Sequence, residues 1–168
     1  EDIKKGTVLI RQGQRIRAAH LAVLASEGYG DVLVHRRVRV AVASTGDELL
    51  QPGEPLRPGK IYNSNLYLLA GRLKELGAEV TVLGSVSDDI EKAAEVIASY
   101  ADKVDLFLTS GGVSVGKKDI MHGVVPALGA ERLFWRVCMK PGAPAIAYTR
   151  GKMLGIALSG NPFAAFAT

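Results

Sequence analysis

The stretch Val-Arg-Val-Ala-Val-Ala-Ser-Thr-Gly-Asp-Glu-Leu, residues 38–49, decides the fold of this chain. Its first half is a continuous run of β-branched and small apolar residues, which is typical of a strand buried on both faces of a parallel sheet. Its second half is polar and contains a glycine and two acids, as expected of a loop at the carboxyl end of such a strand. Similar apolar runs recur at residues 79–83 and 104–109, so we expect three strands of one parallel sheet.

Helical patterns separate these three runs. One covers residues 66–76 and is followed by Gly77, which is typical of a helix C-terminus. The other covers residues 90–100, with Asp88 or Asp89 available as its N-cap. The resulting β-α-β-α-β order requires right-handed crossovers. We therefore predict the α/β class, with a three-layer, doubly wound and mostly parallel sheet.

Smaller elements follow this unit. Residues 120–128 are predicted to form a helix that bends at Pro126. Residues 132–139, 145–148 and 153–158 are rich in strand-forming residues, and they are candidates for antiparallel strands added at one edge of the sheet.

Residues 1–37 differ in pattern from the rest. Extended stretches at residues 7–10 and 31–34 flank a helical pattern, so we predict a small β-α-β appendage before the α/β domain of residues 38–168. Because the chain begins with Glu1 and ends within an apolar pattern, we interpret it as a piece of a longer protein, with the α/β domain truncated at its C-terminal end.

The composition excludes several classes of protein. With 48% hydrophobic and 23% charged residues, the chain is neither disordered nor collagenous nor a coiled coil. The net charge of +4 comes mostly from scattered basic residues, which argues against a nucleic-acid partner, and no apolar run is long enough to cross a membrane. The single cysteine, Cys138, cannot form an internal disulfide, so we expect a reducing, cytoplasmic location.

Acidic residues follow all three predicted parallel strands. Asp47 and Glu48 follow the first strand, Asp88 and Asp89 the second, and Asp119 the third. Because the carboxyl ends of parallel strands meet at one edge of a sheet, we expect these acids around a single crevice. Each aspartate is also placed to cap a helix, which would explain it without any ligand. Together the acids would repel one another, and a bound hard cation such as Mg²⁺ would relieve that repulsion.

The loop after the third strand is rich in glycine and serine. It reads Ser-Gly-Gly-Val-Ser-Val-Gly over residues 110–116. These small residues allow backbone N–H groups to approach a phosphate closely, although they also suit a tight turn. The glycine spacing matches neither the dinucleotide-binding fingerprint nor the Walker loop.

Two basic residues lie at the end of the run at residues 132–139. If the strand continues, its alternation places Arg136, Cys138 and Lys140 on one face, where the two cations would attract an anion. A solvated face of an edge strand is the alternative. Cys138 lies in apolar company, so we expect it to be a small buried hydrophobic residue.

Two further turns begin helices. Residues 159–162, Ser-Gly-Asn-Pro, place Asn161 as an N-cap and Pro162 at the first helical position. Residues 63–65, Asn-Ser-Asn, precede the helical pattern of residues 66–76. A helix N-terminus attracts anions, so either turn is a candidate ligand contact, and capping alone would also explain both.

In combination these motifs resemble those of the molybdopterin molybdenumtransferases, the MoeA and gephyrin E-domain family. The resemblance covers essentially the whole chain, and it implies that residues 38–168 are the family's molybdopterin-binding α/β domain and residues 1–37 the tail of the preceding domain. The motifs that carry it, in chain order, are Ser44-Thr45-Gly46-Asp47-Glu48-Leu49, Tyr62 to Asn65, Asp88-Asp89, Ser110-Gly111-Gly112-Val113-Ser114-Val115-Gly116 with Asp119, Lys140-Pro141-Gly142 and Gly160-Asn161-Pro162.

The resemblance implies an activity and roles for individual residues. Members of the family insert molybdate into adenylylated molybdopterin and release AMP, with help from Mg²⁺. By resemblance, the metal positions are Asp47, Glu48, Asp88 and Asp119. The positions expected to act on the substrate or on molybdate are Asp88, Asp119, Arg136 and Lys140. Those expected to bind adenylylated molybdopterin are Thr45, Gly46, Asn65, Ser110, Gly111, Gly112, Ser114, Ser159, Gly160, Asn161 and Pro162.

Two positions depart from the family pattern. Ser159 stands where proline is common, which leaves the shape of the pocket open, and Arg136 stands where lysine is frequent, which keeps the charge but changes its geometry. Related domains are alternatives: a molybdopterin adenylyltransferase of the MogA type, a competence-damage-type pyrophosphatase, or a non-catalytic scaffold of the gephyrin kind.

The resemblance also implies partners. Sites in this family lie between domains and across a homodimer, so these 168 residues alone are expected to be weakly active or inactive. A MogA-like enzyme is a further expected partner, whereas a nucleic acid or a membrane is not. The sequence leaves open whether the inserted metal is molybdenum or tungsten.

Overall fold

A computed structural model describes residues 3–113 and 119–168 of the chain. The chain divides into two compact units, residues 1–36 and 37–168. No helix in the described part of the chain is long and apolar enough to cross a membrane.

The first unit contains one regular element, the helix α1 (Ala18–Ser26). The extended stretches predicted at residues 7–10 and 31–34 form no strand in the described part of this unit, so the predicted β-α-β arrangement is wrong there. Their β-branched residues favour extended backbone, but a strand also requires a neighbouring strand for its hydrogen bonds. Val8 and Val34 are each 67% exposed, consistent with the absence of such pairing.

The second unit contains the sheet. Its elements in chain order are β1 (Arg39–Thr45), β2 (Leu49–Leu50), β3 (Ile61–Tyr62), α2 (Ser64–Glu75), β4 (Glu79–Val86), α3 (Ile90–Ala98), β5 (Leu106–Ser110), α4 (Met121–Ala127), β6 (Glu131–Trp135), β7 (Ala145–Arg150), β8 (Met153–Leu158) and α5 (Pro162–Ala167).

Six of the strands form one mixed sheet in the order β4-β1-β5-β8-β7-β6. The first four run parallel to one another, and β7 and β6 complete an antiparallel edge. This confirms the α/β class and the mostly parallel sheet. The strand at residues 153–158 is antiparallel to β7, as predicted, but it is not confined to an antiparallel edge, because its other neighbour is β5, to which it is parallel.

Helices cover both faces of the sheet and give three layers. On one face α3 and α4 pack against Ala41 and Phe107, and on the other α2 and α5 pack against Val40 and Leu108. Neighbouring residues of β1 therefore enter opposite cores, as expected for a strand buried on both sides.

The helix ends follow from local chemistry. Asp89 caps α3 by accepting a hydrogen bond from the Lys92 N–H at 3.1 Å, so Asp89 and not Asp88 is the N-cap. Gly77 follows α2 with φ +88°, the left-handed conformation that ends many helices. Pro126 lies in the last turn of α4, one residue before that helix ends.

Tyr148 is a fully buried aromatic residue in the sheet. It pairs across the ladder with Gly155, whose missing side chain leaves space for the ring. Burial raises the pKa of the Tyr148 hydroxyl far above its ordinary value.

Candidate functional site

A pocket of about 300 Å³ opens at the carboxyl ends of the parallel strands. This is the edge at which loops and helix N-termini converge in open α/β sheets. The residues that line it are Ser44, Thr45, Gly46, Glu48, Leu49, Ile61, Tyr62, Asn63, Ser64, Asn65, Asp88, Ser110, Gly111, Gly112, Val113, Asp119, Gly160 and Pro162.

Asn63, the N-cap of α2, ties the helix to two strand ends. Its Oδ1 accepts hydrogen bonds from Ser44 Oγ at 2.9 Å and from the Leu66 N–H at 3.4 Å. Its Nδ2 donates to Ser85 Oγ at 3.3 Å. The capping expected from the sequence is thus present, and the same side chain also fixes the ends of β1 and β4.

Asn65 makes the corresponding links to β5 and β8. Its Nδ2 donates to Ser110 Oγ at 2.7 Å and to the Gly160 carbonyl at 2.9 Å. Ser110 Oγ in turn lies 3.3 Å from the Ser159 carbonyl, to which it donates. Asn65 is only 8% exposed, and its Oδ1 has no hydrogen-bond partner among the described residues. An acceptor is therefore left over where α2 meets the pocket.

The Gly111–Gly112 turn can exist only without side chains. Gly111 has φ +102°, and an added Cβ would lie 2.6 Å from the Thr45 carbonyl oxygen; at Gly112, with φ +68°, it would lie 2.9 Å from Thr45 Oγ1. The Gly111 N–H already donates to the Leu158 carbonyl at 2.9 Å, so this glycine contributes its conformation and not its N–H group. Thr45 Oγ1 is buried without a hydrogen-bond partner among the described residues.

Three of the predicted acids line the pocket: Glu48, Asp88 and Asp119. The Glu48 carboxylate lies beside Gly46, where an added Cβ would be 2.7 Å from Oε1. Asp88 Oδ2 accepts a hydrogen bond from the Asp47 N–H at 3.2 Å. The structure therefore brings together acids from the loops after β1, β4 and β5, as the sequence predicted.

Asp47 and Asp89 lie elsewhere. Asp47 is exposed and is not part of the lining, and strand β2 rather than a helix follows it, so capping does not explain it either. Its backbone links the loop to its surroundings, because its carbonyl accepts a hydrogen bond from Lys60 Nζ at 2.6 Å. The role of Asp89 is to cap α3.

A fully protein-built metal site is not formed by the described residues. Among residues 3–113 and 119–168, no group of three or more His, Cys, Asp or Glu side chains is close enough together to hold a metal ion. The four-carboxylate magnesium site expected from the sequence is therefore not assembled in this structure. Magnesium commonly binds through one or two carboxylates together with substrate phosphates and water, and one or two of the three lining acids would fit that donor set.

The two predicted cations do not share a strand face. β6 ends at Trp135, because Arg136 adopts φ +70° and interrupts the extended backbone. Arg136 places its guanidinium carbon 5.5 Å from the centre of the Trp135 ring, a cation–π contact. Arg136, Cys138 and Lys140 are all exposed, and none belongs to the pocket lining, so the burial predicted for Cys138 is wrong.

The loop before α5 contributes Gly160 and Pro162 to the pocket. Asn161 is exposed and outside the lining, and its Oδ1 caps α5 by accepting from the Ala164 N–H at 3.0 Å. Ser159 also lies outside the lining, with its Oγ accepting from the Asn161 N–H at 3.3 Å. Ser114, predicted to bind phosphate, lies outside the described residues.

Sequence reasoning missed the apolar wall of the pocket, which consists of Leu49, Ile61 and Tyr62 on the two-stranded ribbon β2–β3. Each strand of the ribbon has two residues, too few to show the alternation that identifies a strand. The available signal was the apolar pair at residues 61–62, directly before the helix N-cap.

Comparisons with known proteins identify the family and the fold. Residues 41–168 match the family described as probable molybdopterin binding domain. A molybdopterin molybdenumtransferase of Bacillus subtilis is 40% identical over 166 residues, which are 99% of this chain and 39% of that protein.

Solved structures are similar over the same length. A molybdopterin biosynthesis MoeA protein from Pyrococcus horikosii gives a TM-score of 0.84 at 32% identity over 98% of this chain and 40% of that one. The molybdopterin biosynthesis enzyme MoaB from Thermus thermophilus shares the fold, with a TM-score of 0.55 at 23% identity over 77% of this chain and 85% of that one.

The fold and the pocket define a three-layer α/β domain with a pocket at the carboxyl edge of its parallel strands. The chain belongs to the probable molybdopterin binding domain family, which confirms the resemblance seen in its motifs. It spans 39% of the length of the Bacillus subtilis relative.

Proposed function

We propose that this chain forms the substrate pocket of a molybdopterin molybdenumtransferase, which inserts molybdate into adenylylated molybdopterin and releases AMP. One observation carries the proposal: acids from three separate strand-end loops line the same pocket as the Gly111–Gly112 turn. The related proteins are named as a molybdopterin molybdenumtransferase and a molybdopterin biosynthesis protein, and their similarity extends over nearly the whole chain.

Backbone and helix-end groups are assigned to the phosphates of the substrate. Ser64 and Asn65, the first two residues of α2, line the pocket, and a helix N-terminus favours bound anions. The glycine turn allows the backbone to come close to a ligand because no Cβ intervenes. In this proposal Gly160 and Pro162 form the lip over the ligand.

The acids are assigned to Mg²⁺ bound together with the substrate. One or two of the lining acids Glu48, Asp88 and Asp119 provide carboxylate oxygens, and the substrate phosphates and water supply the remaining ligands. When bound, Mg²⁺ would polarise the phosphoanhydride and offset the charge of the released AMP. No protein nucleophile is required for this chemistry.

Arg136 and Lys140 are assigned to molybdate, a dianion, at a second location on the same sheet edge. β6 runs parallel to β5 and β8, so its carboxyl end points the same way as theirs. It lies three strand positions from β5, or about 14 Å at the usual spacing. The loop after Lys140 approaches α5, where Thr168 Oγ1 lies 3.5 Å from the Gly142 carbonyl.

The proposal extends to assembly. In it, the full-length protein is a homodimer and its site is completed by other domains, so the 168 residues alone are weakly active or inactive. A MogA-like adenylyltransferase supplies the adenylylated substrate.

Reconstitution of a molybdoenzyme by the full-length protein tests the function. Asp119→Ala is expected to abolish cofactor formation from adenylylated molybdopterin and molybdate while leaving self-association intact. The matched control is Asp102→Ala, an exposed aspartate in the turn before β5, which is expected to act like wild type. Equal reconstitution by Asp119→Ala and wild type would refute the proposal. Adenylylation of free molybdopterin by ATP would instead identify the adenylyltransferase.

A further inference from the structure

The proposed reaction assigns no role to the apolar wall of the pocket, formed by Leu49, Ile61 and Tyr62. Ile61 is 57% exposed and Tyr62 43% exposed, although both belong to a strand and both line the pocket. Large apolar side chains left open to solvent inside a pocket that also contains polar groups are typical of a ligand-binding surface. Their ligand must therefore present an apolar face.

The wall is held firmly in place. A two-stranded ribbon is marginally stable by itself, so its position depends on the links at its ends. Within the ribbon, the Ile61 N–H donates to the Glu48 carbonyl at 3.0 Å, and the Asn63 N–H donates to the Leu50 carbonyl at 2.9 Å. The side chain of Asn63, the residue after Tyr62, links this end of the ribbon to the main sheet through Ser44 Oγ and Ser85 Oγ. The ring of Tyr62 is also tethered, because its hydroxyl donates to the Glu54 carbonyl at 2.9 Å. A fixed ring is a suitable platform for a flat ligand.

The wall adjoins the groups that attract anions. Tyr62 directly precedes Asn63, the N-cap of the twelve-residue helix α2, and the first helical residues Ser64 and Asn65 also line the pocket. The unpartnered Oδ1 of Asn65 is a buried hydrogen-bond acceptor and therefore does not contribute to phosphate binding. One molecule with a phosphate and a flat ring would contact both features.

We propose that Ile61 and Tyr62 form the docking wall for a planar heteroaromatic ring carried by a phosphate-containing ligand. This inference rests on the proposed function, which supplies two rings of that chemistry: the adenine of the adenylyl group and the pterin. Tyr62 provides the aromatic surface, Ile61 extends it, and the N-terminus of α2 sets the position of the attached phosphate.

Calorimetric titration of the purified chain tests the wall. The probes are AMP, 6-carboxypterin and ribose 5-phosphate, which carries the phosphate without a ring. Tyr62→Ala is expected to weaken binding of the ring-bearing probe by about 5-fold to 150-fold, as base–aromatic stacking does, and to leave ribose 5-phosphate unchanged. Tyr62→Phe keeps the ring and loses the link to the Glu54 carbonyl, so it is expected to remain within a few-fold of wild type.

The matched control is Tyr67→Ala. Tyr67 is 51% exposed on α2, is outside the lining, and bonds through its hydroxyl to Gln51 Oε1 at 3.1 Å. This variant is expected to bind all three probes like wild type. Loss confined to AMP identifies adenine as the ring, and loss confined to 6-carboxypterin identifies the pterin; both support the wall.

Two results would overturn the inference. One is that Tyr62→Ala weakens ribose 5-phosphate as much as the ring-bearing probes, which would reduce Tyr62 to a structural role. The other is that neither ring-bearing probe binds more tightly than ribose 5-phosphate. If ring binding depends on Tyr62 but the full-length protein fails to insert molybdate, the inference about Ile61 and Tyr62 stands and only the proposed function is refuted.

Discussion

Asn65 Nδ2 donates a hydrogen bond to Ser110 Oγ at 2.7 Å and so joins the first turn of α2 to the carboxyl end of β5. The same nitrogen reaches the Gly160 carbonyl beyond β8, while Asn63 makes bonds to serines at the ends of β1 and β4. The start of one helix is thus connected to the ends of four neighbouring parallel strands. This arrangement fixes the floor of the pocket.

Removal of the Asn65 side chain is expected to loosen that floor. Asn65→Ala leaves Ser110 Oγ and the Gly160 carbonyl without this donor, and buried groups that lose a hydrogen-bond partner cost about 1–3 kcal/mol. Urea denaturation of the chain should show that loss of stability, and calorimetry should show weaker AMP binding. Stability and binding equal to wild type would contradict the role given to Asn65.

The glycine turn allows a matched pair of substitutions. Gly111→Ala adds a Cβ 2.6 Å from the Thr45 carbonyl oxygen at a positive φ of +102°. Gly129→Ala adds one at φ +63° with nothing within 4 Å, so it incurs only the left-handed strain of about 1–2 kcal/mol. We expect Gly111→Ala to lose about 1–3 kcal/mol beyond that value because of the clash. Equal urea midpoints for the two variants would show that the turn has room for a side chain.

A second pair tests the core. Gly155→Ala places a methyl group into the buried Tyr148 ring and is expected to destabilise the chain by about 1–3 kcal/mol. Gly71→Ala lies on α2 with nothing within 4 Å, so it is expected to stabilise the chain by about 0.5–1 kcal/mol through helix propensity. Thermal unfolding of both variants checks the opposite signs. A Gly155→Ala variant as stable as wild type would mean that the ring has another position available.

Local patterns were sufficient for three of the four parallel strands. β1, β4 and β5 are apolar runs next to helical repeats, so their parallel direction, the layers and the edge that carries the acids could be predicted, whereas β8 was expected to be antiparallel. The end of β6 could not be predicted, because no pattern indicates that Arg136 takes a positive φ of +70°. Strict alternation therefore does not apply to Cys138 and Lys140, which lie beyond the end of β6.

The site was predicted in outline and missed in detail. Asn63 and Asn65 precede a helical pattern, which made capping foreseeable. Their bonds to the strand ends depend on tertiary placement, since Asn65 is 45 residues from Ser110 and 95 from Gly160. The ribbon β2–β3 is too short to have a period, so its only sequence signal was the apolar pair Ile61–Tyr62 directly before the helix N-cap.

The last prediction concerns the metal. Since the described residues form no group of three potential ligands, Mg²⁺ alone is expected to bind weakly, and AMP is expected to increase its affinity by adding phosphate oxygens. Asp88→Asn keeps an oxygen to accept the Asp47 N–H bond but removes a negative charge from the pocket, so it should weaken Mg²⁺ binding in the presence of AMP by about tenfold or more.

Asp47→Asn is the control for this metal experiment. The Asp47 side chain is exposed and outside the lining, while the bonds of this residue to Lys60 and Asp88 are made by its backbone, so its substitution should leave Mg²⁺ affinity unchanged. Calorimetric titration of MgCl₂ with and without AMP separates the cases. Equal losses of Mg²⁺ affinity for Asp47→Asn and Asp88→Asn would support the four-acid site expected from the sequence. Tight Mg²⁺ binding without AMP would show that the protein supplies enough ligands by itself. That result would contradict a site in which carboxylates and substrate phosphates bind Mg²⁺ together.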